Sequence, residues 1–182
     1  MKIGILIGSL RRESFSRKVA LTLIQLAHKP VEFEIIEIGE LPFFNQDVEA
    51  TPPEAWVSFR KKIAALDGFL LITPEYNRSV PAALKNALDV GSRPYGQSVW
   101  NGKPCAIISV SMGNIGGFAA NHHLRQSLVF LNTPCLQQPE MYLSFVDKLF
   151  DEKGQMNNES TKTFLNQFLQ TFEQWVSLHS KR

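Results

Sequence analysis

The sequence predicts an α/β protein: a doubly wound, five-stranded parallel sheet with helices on both faces. Apolar runs of strand length alternate with amphipathic stretches along the whole chain, which is how successive β-α-β units read. Three of those runs also pass into polar or glycine-rich loops that lead straight into helices, at 8–16, 74–81 and 111–117. In an open parallel sheet such loops gather at the carboxyl ends of the strands, where ligands bind.

The elements follow in order. Residues 2–7 form a buried strand. Residues 16–27 form a helix whose Val19, Ala20, Leu23, Ile24 and Ala27 recur at the 3-4 spacing of one helical face. The strand at 31–38 alternates Val31, Phe33 and Ile35 with Glu32 and Glu34, the signature of a partly exposed edge. A long loop at 39–53 carries Leu41-Pro42-Phe43-Phe44-Asn45; unstructured loops of that length are often functional. A helix at 54–66 turns Trp56, Phe59, Ile63 and Leu66 inward, and a strand at 69–73 follows. Pro81 suits the first turn of the next helix, 81–88, where its missing N–H is no loss. A linker at 91–96 leads to a strand at 104–110, a helix at 118–131 and a fifth strand at 133–137. A last helix, 160–178, buries Leu165, Phe168, Leu169, Phe172 and Val176. Five strands in this alternation fit the flavodoxin-like order 2-1-3-4-5, with a ligand at the switch point between strands one and three.

Composition bounds the function. The 182 residues, 44% hydrophobic and 20% charged, are expected to make one domain, 1–182, burying roughly 70% of its unfolded surface. A net charge of +2, with Arg11-Arg12 and Lys181-Arg182 as isolated pairs, gives no reason to invoke nucleic acid. The five-residue apolar run after Met1-Lys2 is too short for a signal-peptide core or a membrane span, so a cytoplasmic protein is expected. Cys105 and Cys135 lie in apolar runs and read as small buried hydrophobes of a reducing compartment, without the electropositive setting of a nucleophile.

The three loops carry the chemistry. The first has one glycine where a dinucleotide turn needs three. It offers instead the hydroxyls of Ser9, Ser14 and Ser16, the Arg11 guanidinium and a helix start, a donor set for one terminal phosphate. The second places Tyr76 as a flat wall beside Pro74, Glu75 and Asn77. Backbone N–H groups from Glu75 to Asn77 would face the carbonyl side of an isoalloxazine ring. The third, Ser111 to Gly117, has three glycines for close approach to the ring edge. His122 and His123 are adjacent on a helix and cannot both face one metal ion, and no G-x-S-x-G elbow exists for a serine nucleophile. No metal site and no catalytic side chain are expected. The chemistry falls to a bound flavin.

These residues carry a family resemblance. Gly8-Ser9-Leu10-Arg11 with Ser14 and Ser16, Pro74-Glu75-Tyr76-Asn77 with Ser79 and Pro81, Leu84-Lys85-Asn86-Ala87 with Asp89, and Ser111-Met112-Gly113 with Gly116-Gly117 resemble the NADPH-dependent FMN reductase family. Within it, the bacterial quinone, chromate and azo-dye reductases look most similar. Several members carry asparagine where Ser16 stands; serine also donates to phosphate. The resemblance implies non-covalent FMN, with Ser9, Arg11 and Ser16 at the phosphate, Pro74, Glu75, Tyr76 and Asn77 along the ring, and Ser111 and Gly113 near its far edge. It also implies a homodimer or homotetramer. The expected reaction is ping-pong: NADPH passes hydride to flavin N5, and a quinone or other flat acceptor then takes two electrons. Phe43, Phe44, Tyr95 or Trp100 would rim the pocket, and Arg12 or Arg78 would meet the NADPH 2′-phosphate. Two alternatives stand beside this reading. One is a flavin reductase that releases reduced FMN to a partner monooxygenase. The other is an electron carrier, against which the slightly basic pI near 8.6 counts.

Overall fold

The computed structural model describes residues 1–27 and 30–179; the terminal Lys181-Arg182 pair lies outside them. Five strands, β1 (Lys2–Ile7), β2 (Glu32–Ile36), β3 (Gly68–Pro74), β4 (Cys105–Val110) and β5 (Met141–Leu143), form one sheet in the order 2-1-3-4-5. Every neighbouring pair is parallel. Helices α1 (Phe15–Leu26), α2 (Glu54–Ala64), α3 (Ala82–Gly91), α4 (Phe118–Phe130) and α5 (Glu159–His179) connect or follow the strands. Among the described residues no helix is long and apolar enough to cross a membrane.

The two side-chain faces of the strands make two cores. Ile3, Ile5, Ile7, Leu70, Ile72, Ala106 and Ile108 face α1 and α5, where Val19, Leu23, Phe168 and Phe172 meet them. Leu6, Phe69, Leu71 and Ile107 point the other way, to Trp56, Phe59, Leu84, Leu88 and Leu124 of α2, α3 and α4. A sheet covered on both faces needs continuous apolar strands rather than alternating ones. The edge strand β2 alternates as expected: Phe33 and Ile35 lean on the first core, while Glu34 faces outward to Lys2 Nζ at 2.8 Å.

The fifth strand departs from its predicted position. The segment 133–137 makes only an isolated bridge, Cys105 to Cys135, held by Cys105 N–H to Pro134 O (3.0 Å) and Leu136 N–H to Cys105 O (2.8 Å). Pro139 follows, with no N–H to extend a ladder. The chain leaves the sheet there and rejoins it as β5, pairing Met141–Leu143 with residues 108–110.

The long loop at 39–53 is tied down rather than loose. It carries a single 3-10 turn at Gln46–Val48. The buried Asn86 of α3 reaches into it, accepting from Phe44 N–H (2.8 Å) and donating to Leu41 O (3.2 Å) and Pro42 O (3.1 Å). Trp56 Nε1–H also donates to Pro42 O at 2.9 Å, and the Trp56 ring stacks on Phe44. Further along, Glu49 receives two bonds from Arg93, 3.0 Å from Nε and 2.8 Å from Nη2.

Asn86→Ala should lower the unfolding free energy by about 2 kcal/mol, because Phe44 N–H and Leu41 O lose their partner while Pro42 O keeps only Trp56; a urea midpoint unchanged from wild type would disprove that staple. The Arg93 hydrogen bonds hold the Glu49 carboxyl below the usual carboxylate range, with burial opposing. The contribution of this pair is therefore present above the unfolded carboxyl pKa of about 4.3 and is lost as pH falls through the lower folded value. Glu49→Gln should accordingly cost stability at neutral pH and flatten the acid limb of a stability–pH curve.

Candidate active site

The first loop continues the β1–β3 ladder by one bond, Gly8 N–H to Ile72 O at 2.8 Å, and then turns toward α1. Ser14 is the N-cap of α1, its Oγ accepting from Arg17 N–H at 3.4 Å. Ser9, Ser14 and Ser16 are all buried. Among the described residues the Ser16 hydroxyl, 1% exposed, has no hydrogen-bond partner. The first-turn amides of α1 have no intrahelical acceptor either, and the exposed Arg11 stands at the mouth. A buried orphan donor, a helix start and a guanidinium together fit a phosphate group.

The second loop is a tight two-residue turn. Tyr76 N–H donates to Ser79 O (3.0 Å) and Ser79 N–H to Tyr76 O (2.9 Å), with Asn77 and Arg78 both at positive φ, 51° and 63°. The Tyr76 N–H predicted for the ring is thus already used, and only its neighbours on either side remain as backbone donors. The Glu75 carboxylate is nearly buried and committed: Oε2 accepts from Ala120 N–H of α4 at 3.1 Å, and Oε1 pairs with Arg78 at 3.3 Å. It anchors the turn to the start of α4. Tyr76 itself is 46% exposed, a ring available for stacking.

In the third loop Ser111 N–H donates to Leu143 O (2.9 Å), and Ser111 Oγ accepts from Gly113 N–H (3.0 Å). Gly116 and Gly117 do not serve the ligand side. They hold positive φ, 63° and 77°, and a Cβ would lie 2.9 Å from Tyr142 Cβ at Gly116 and 3.0 Å from Ser109 Cβ at Gly117. Their role is to fold the loop down onto β4 and β5. Phe118, His122 and Tyr142 cluster behind it, with the Tyr142 hydroxyl 3.1 Å from His122 Nε2. Burial and the neighbouring Glu140 push the Tyr142 phenol up to about 12. His123 turns to a different partner, Ser79 Oγ at 3.0 Å. Among the described residues no group of His, Cys, Asp and Glu could hold a metal ion.

The three loops enclose one cleft of about 180 Å³. Ser9, Arg11, Ser16, Pro74, Glu75, Tyr76 and Ser111 all line it. Asn77, at the exposed apex of the turn, and Gly113 are outside its lining. Ser14, Phe15, Val110, Met112 and Val146 complete it. Val146 carries no sequence signal for the cleft, because β5, the strand that leads to it, is not the segment the sequence predicts. Arg11 and Tyr76 also border an apolar groove of about 530 Å³, with Leu10, Leu41 and Phe43 among its walls. Of the four predicted rim aromatics, Phe43 is 76% exposed in that groove, whereas Phe44 is held against Trp56. Tyr95 lies on the α3–β4 linker outside both cavities. Trp100 is wholly buried, its Nε1–H donating to Leu88 O at 2.9 Å; it belongs to the core.

A family model described as NADPH-dependent FMN reductase matches residues 1–148. The chain belongs to that family. It is a flavoprotein oxidoreductase, drawing on FMN and a nicotinamide donor. A quinone reductase of Pseudomonas putida is 55% identical over 97% of this chain and 95% of its own length. A 2-hydroxy-1,4-benzoquinone reductase of a Burkholderia species is 44% identical, over 97% and 96%. The solved flavoenzyme NAD(P)H:(acceptor) oxidoreductase FerB of Paracoccus denitrificans superposes with a TM-score of 0.92 at 38% identity, covering 98% of both chains. A Pseudomonas aeruginosa flavodoxin shares the fold alone, at 17% identity and a TM-score of 0.58.

Ser16→Ala separates ligand binding from folding. The hydroxyl has no protein partner to lose, so the apo protein should be no less stable, while FMN affinity falls about tenfold, near 1.4 kcal/mol. Arg11→Ala should weaken FMN binding by at least as much. Unchanged flavin titrations for both variants would remove the phosphate from this loop.

Proposed function

We propose that this chain is an NADPH:quinone oxidoreductase that keeps its FMN through turnover and uses one site for donor and acceptor in alternation. The carrying observation is the cleft itself: an unpartnered buried hydroxyl and a half-exposed tyrosine in one lining, with an apolar groove that shares Arg11 and Tyr76. The quinone reductases named among the relatives support a quinone as acceptor.

Ser9, Arg11, Ser16 and the start of α1 would hold the phosphate. Pro74, Glu75, Tyr76 and Asn77 would lie along the ring, with Ser111 and Gly113 toward its far edge. These residues would hold and orient FMN, which would supply the hydride and two-electron chemistry between the nicotinamide and the acceptor. The protein supplies position. Glu75 does not move protons in this reading, because both carboxylate oxygens are engaged. It fixes the turn that presents Tyr76. Phe43 and Leu41 give a flat acceptor an apolar surface next to the cleft. Arg12, next to Arg11, and Arg78, whose side chain is largely exposed beside Glu75, are the cations offered to the NADPH 2′-phosphate. Assembly as a homodimer or homotetramer in the cytoplasm belongs to the same reading, with the exposed Val129 and Phe130 at the end of α4 as apolar contact surface.

The test is anaerobic rapid mixing of FMN-loaded protein with NADPH, followed by a benzoquinone, alongside initial rates with both substrates varied. Bleaching of the visible flavin band, recovery on adding quinone, and parallel double-reciprocal lines are expected. Intersecting lines would refute alternation at one site. Bleaching with NADH alone would refute the donor, and flavin lost on gel filtration would favour release of FMN to another enzyme.

A further inference from the structure

We propose that Cys105 and Cys135 form a redox-active dithiol, a site at which a hydroperoxide converts two thiols to a disulfide, away from the flavin cleft. The pair sits at the amino end of β4, whereas the cleft begins past its carboxyl end at Val110 and Ser111.

The pairing is set by the backbone. Cys105 and Cys135 are direct partners in a parallel bridge, locked by hydrogen bonds on both sides of Cys135. Adjacent strands run about 4.8 Å apart and paired side chains share one face, which lies inside the Cα separation that a disulfide spans. Both side chains pack with the core on the α2, α3 and α4 side, and both are free thiols.

Arg125 makes the two thiols unequal. Its Nη1 lies 3.6 Å from Cys135 Sγ and donates to Leu136 O at 3.0 Å, while Nε donates to Asn121 Oδ1 at 3.0 Å. The guanidinium is therefore held in place beside one sulfur. The hydrogen bond from Cys105, with the Arg125 charge, lowers the Cys135 thiol against the opposing effect of burial; burial pushes Cys105 up. Cys105 is wholly buried and Cys135 only partly so. An oxidant meets Cys135 first, and Cys135 is the sulfur that carries negative charge more readily. The sequence alone suggested two inert buried cysteines; the bridge register and Arg125 correct that for Cys135.

The chemistry balances with a hydroperoxide as oxidant. Cys135 thiolate attacks the peroxide oxygen; an S–O bond forms, the O–O bond breaks, and the departing oxygen takes a proton. Cys105 sulfur then attacks Cys135 sulfur, forming S–S and breaking S–O. Hydroxide leaves with the Cys105 proton as water. Two electrons pass from the thiols to the peroxide, and a dithiol reductant reverses the change.

The experiment treats the FMN-loaded full chain with hydrogen peroxide, then reads intact mass and maleimide-reactive thiols with and without reduction. Expected are a loss of two hydrogens, disappearance of both thiols together, no crosslinked chain on a non-reducing gel, and recovery with dithiothreitol. Cys105→Ser should leave a sulfenic acid on Cys135 that dimedone traps. Arg125→Gln should slow oxidation severalfold, because the charge beside Cys135 Sγ is lost, and Arg125→Lys should restore much of the rate. Thiols that survive peroxide, oxygen additions without loss of the second thiol, or a disulfide between two chains would each overturn the proposal.

Discussion

The backbone ladder joining β1, β3 and β4 is the constraint on which the site depends. Ile7 pairs with Ile72, Thr73 with Ser109 and Pro74 with Val110. The three strands therefore end side by side, and the loops that follow start within one or two strand spacings of about 4.8 Å each. No side chain in the cleft needs to reach far. Both faces of these strands are buried, so a shift of register would drive large apolar groups into occupied space, and close packing makes that costly. The position of the phosphate loop relative to the tyrosine turn is thus a property of the core.

Around that ladder, polar side chains hold the loops before any ligand arrives. Glu75 joins the β3 turn to the start of α4, Asn86 and Trp56 hold the 39–53 loop, and Ser14 caps α1. Each removes freedom that a ligand would otherwise have to restrict on binding. The consecutive left-handed residues Asn77 and Arg78 are the backbone strain this arrangement retains. Of the buried side-chain polar atoms without a partner among the described residues, only the Ser16 hydroxyl lines the cleft. It is buried at the one place where the loop, the helix start and Arg11 converge.

β4 carries different chemistry at its two ends because the two ends have different neighbours. At the carboxyl end, Val110 passes into the loop that closes the cleft. At the amino end, Cys105 faces a segment that joins the sheet for one bridge before Pro139 diverts it. The Asn121–Arg125 pair on α4 spans this region: Asn121 Nδ2 donates to the buried Ser109 Oγ at 3.4 Å, while Arg125 reaches Cys135 and Leu136. One helix face thus braces the strand and places a cation beside a thiol.

Most of the fold was legible in the sequence, because periodicity reports burial directly. The runs that became β1, β3 and β4, the inward faces of α1, α2 and α5, and the edge character of β2 all follow from which residues must avoid water. Seven of the nine predicted site residues line the cleft, since loop order along the chain and strand order in a parallel sheet together decide which loops meet. What the sequence could not decide were matters of partnership. Nothing local distinguishes a Glu75 that anchors a helix from one that faces a ligand, or a Trp100 in the core from one on a rim. The true fifth strand, three residues long, is too short to show a period. The pairing of Cys105 with Cys135, thirty residues on, and the arrival of Arg125 beside them are set by long-range hydrogen bonds. Composition and spacing determine what a residue can do; only the tertiary structure decides which group it meets.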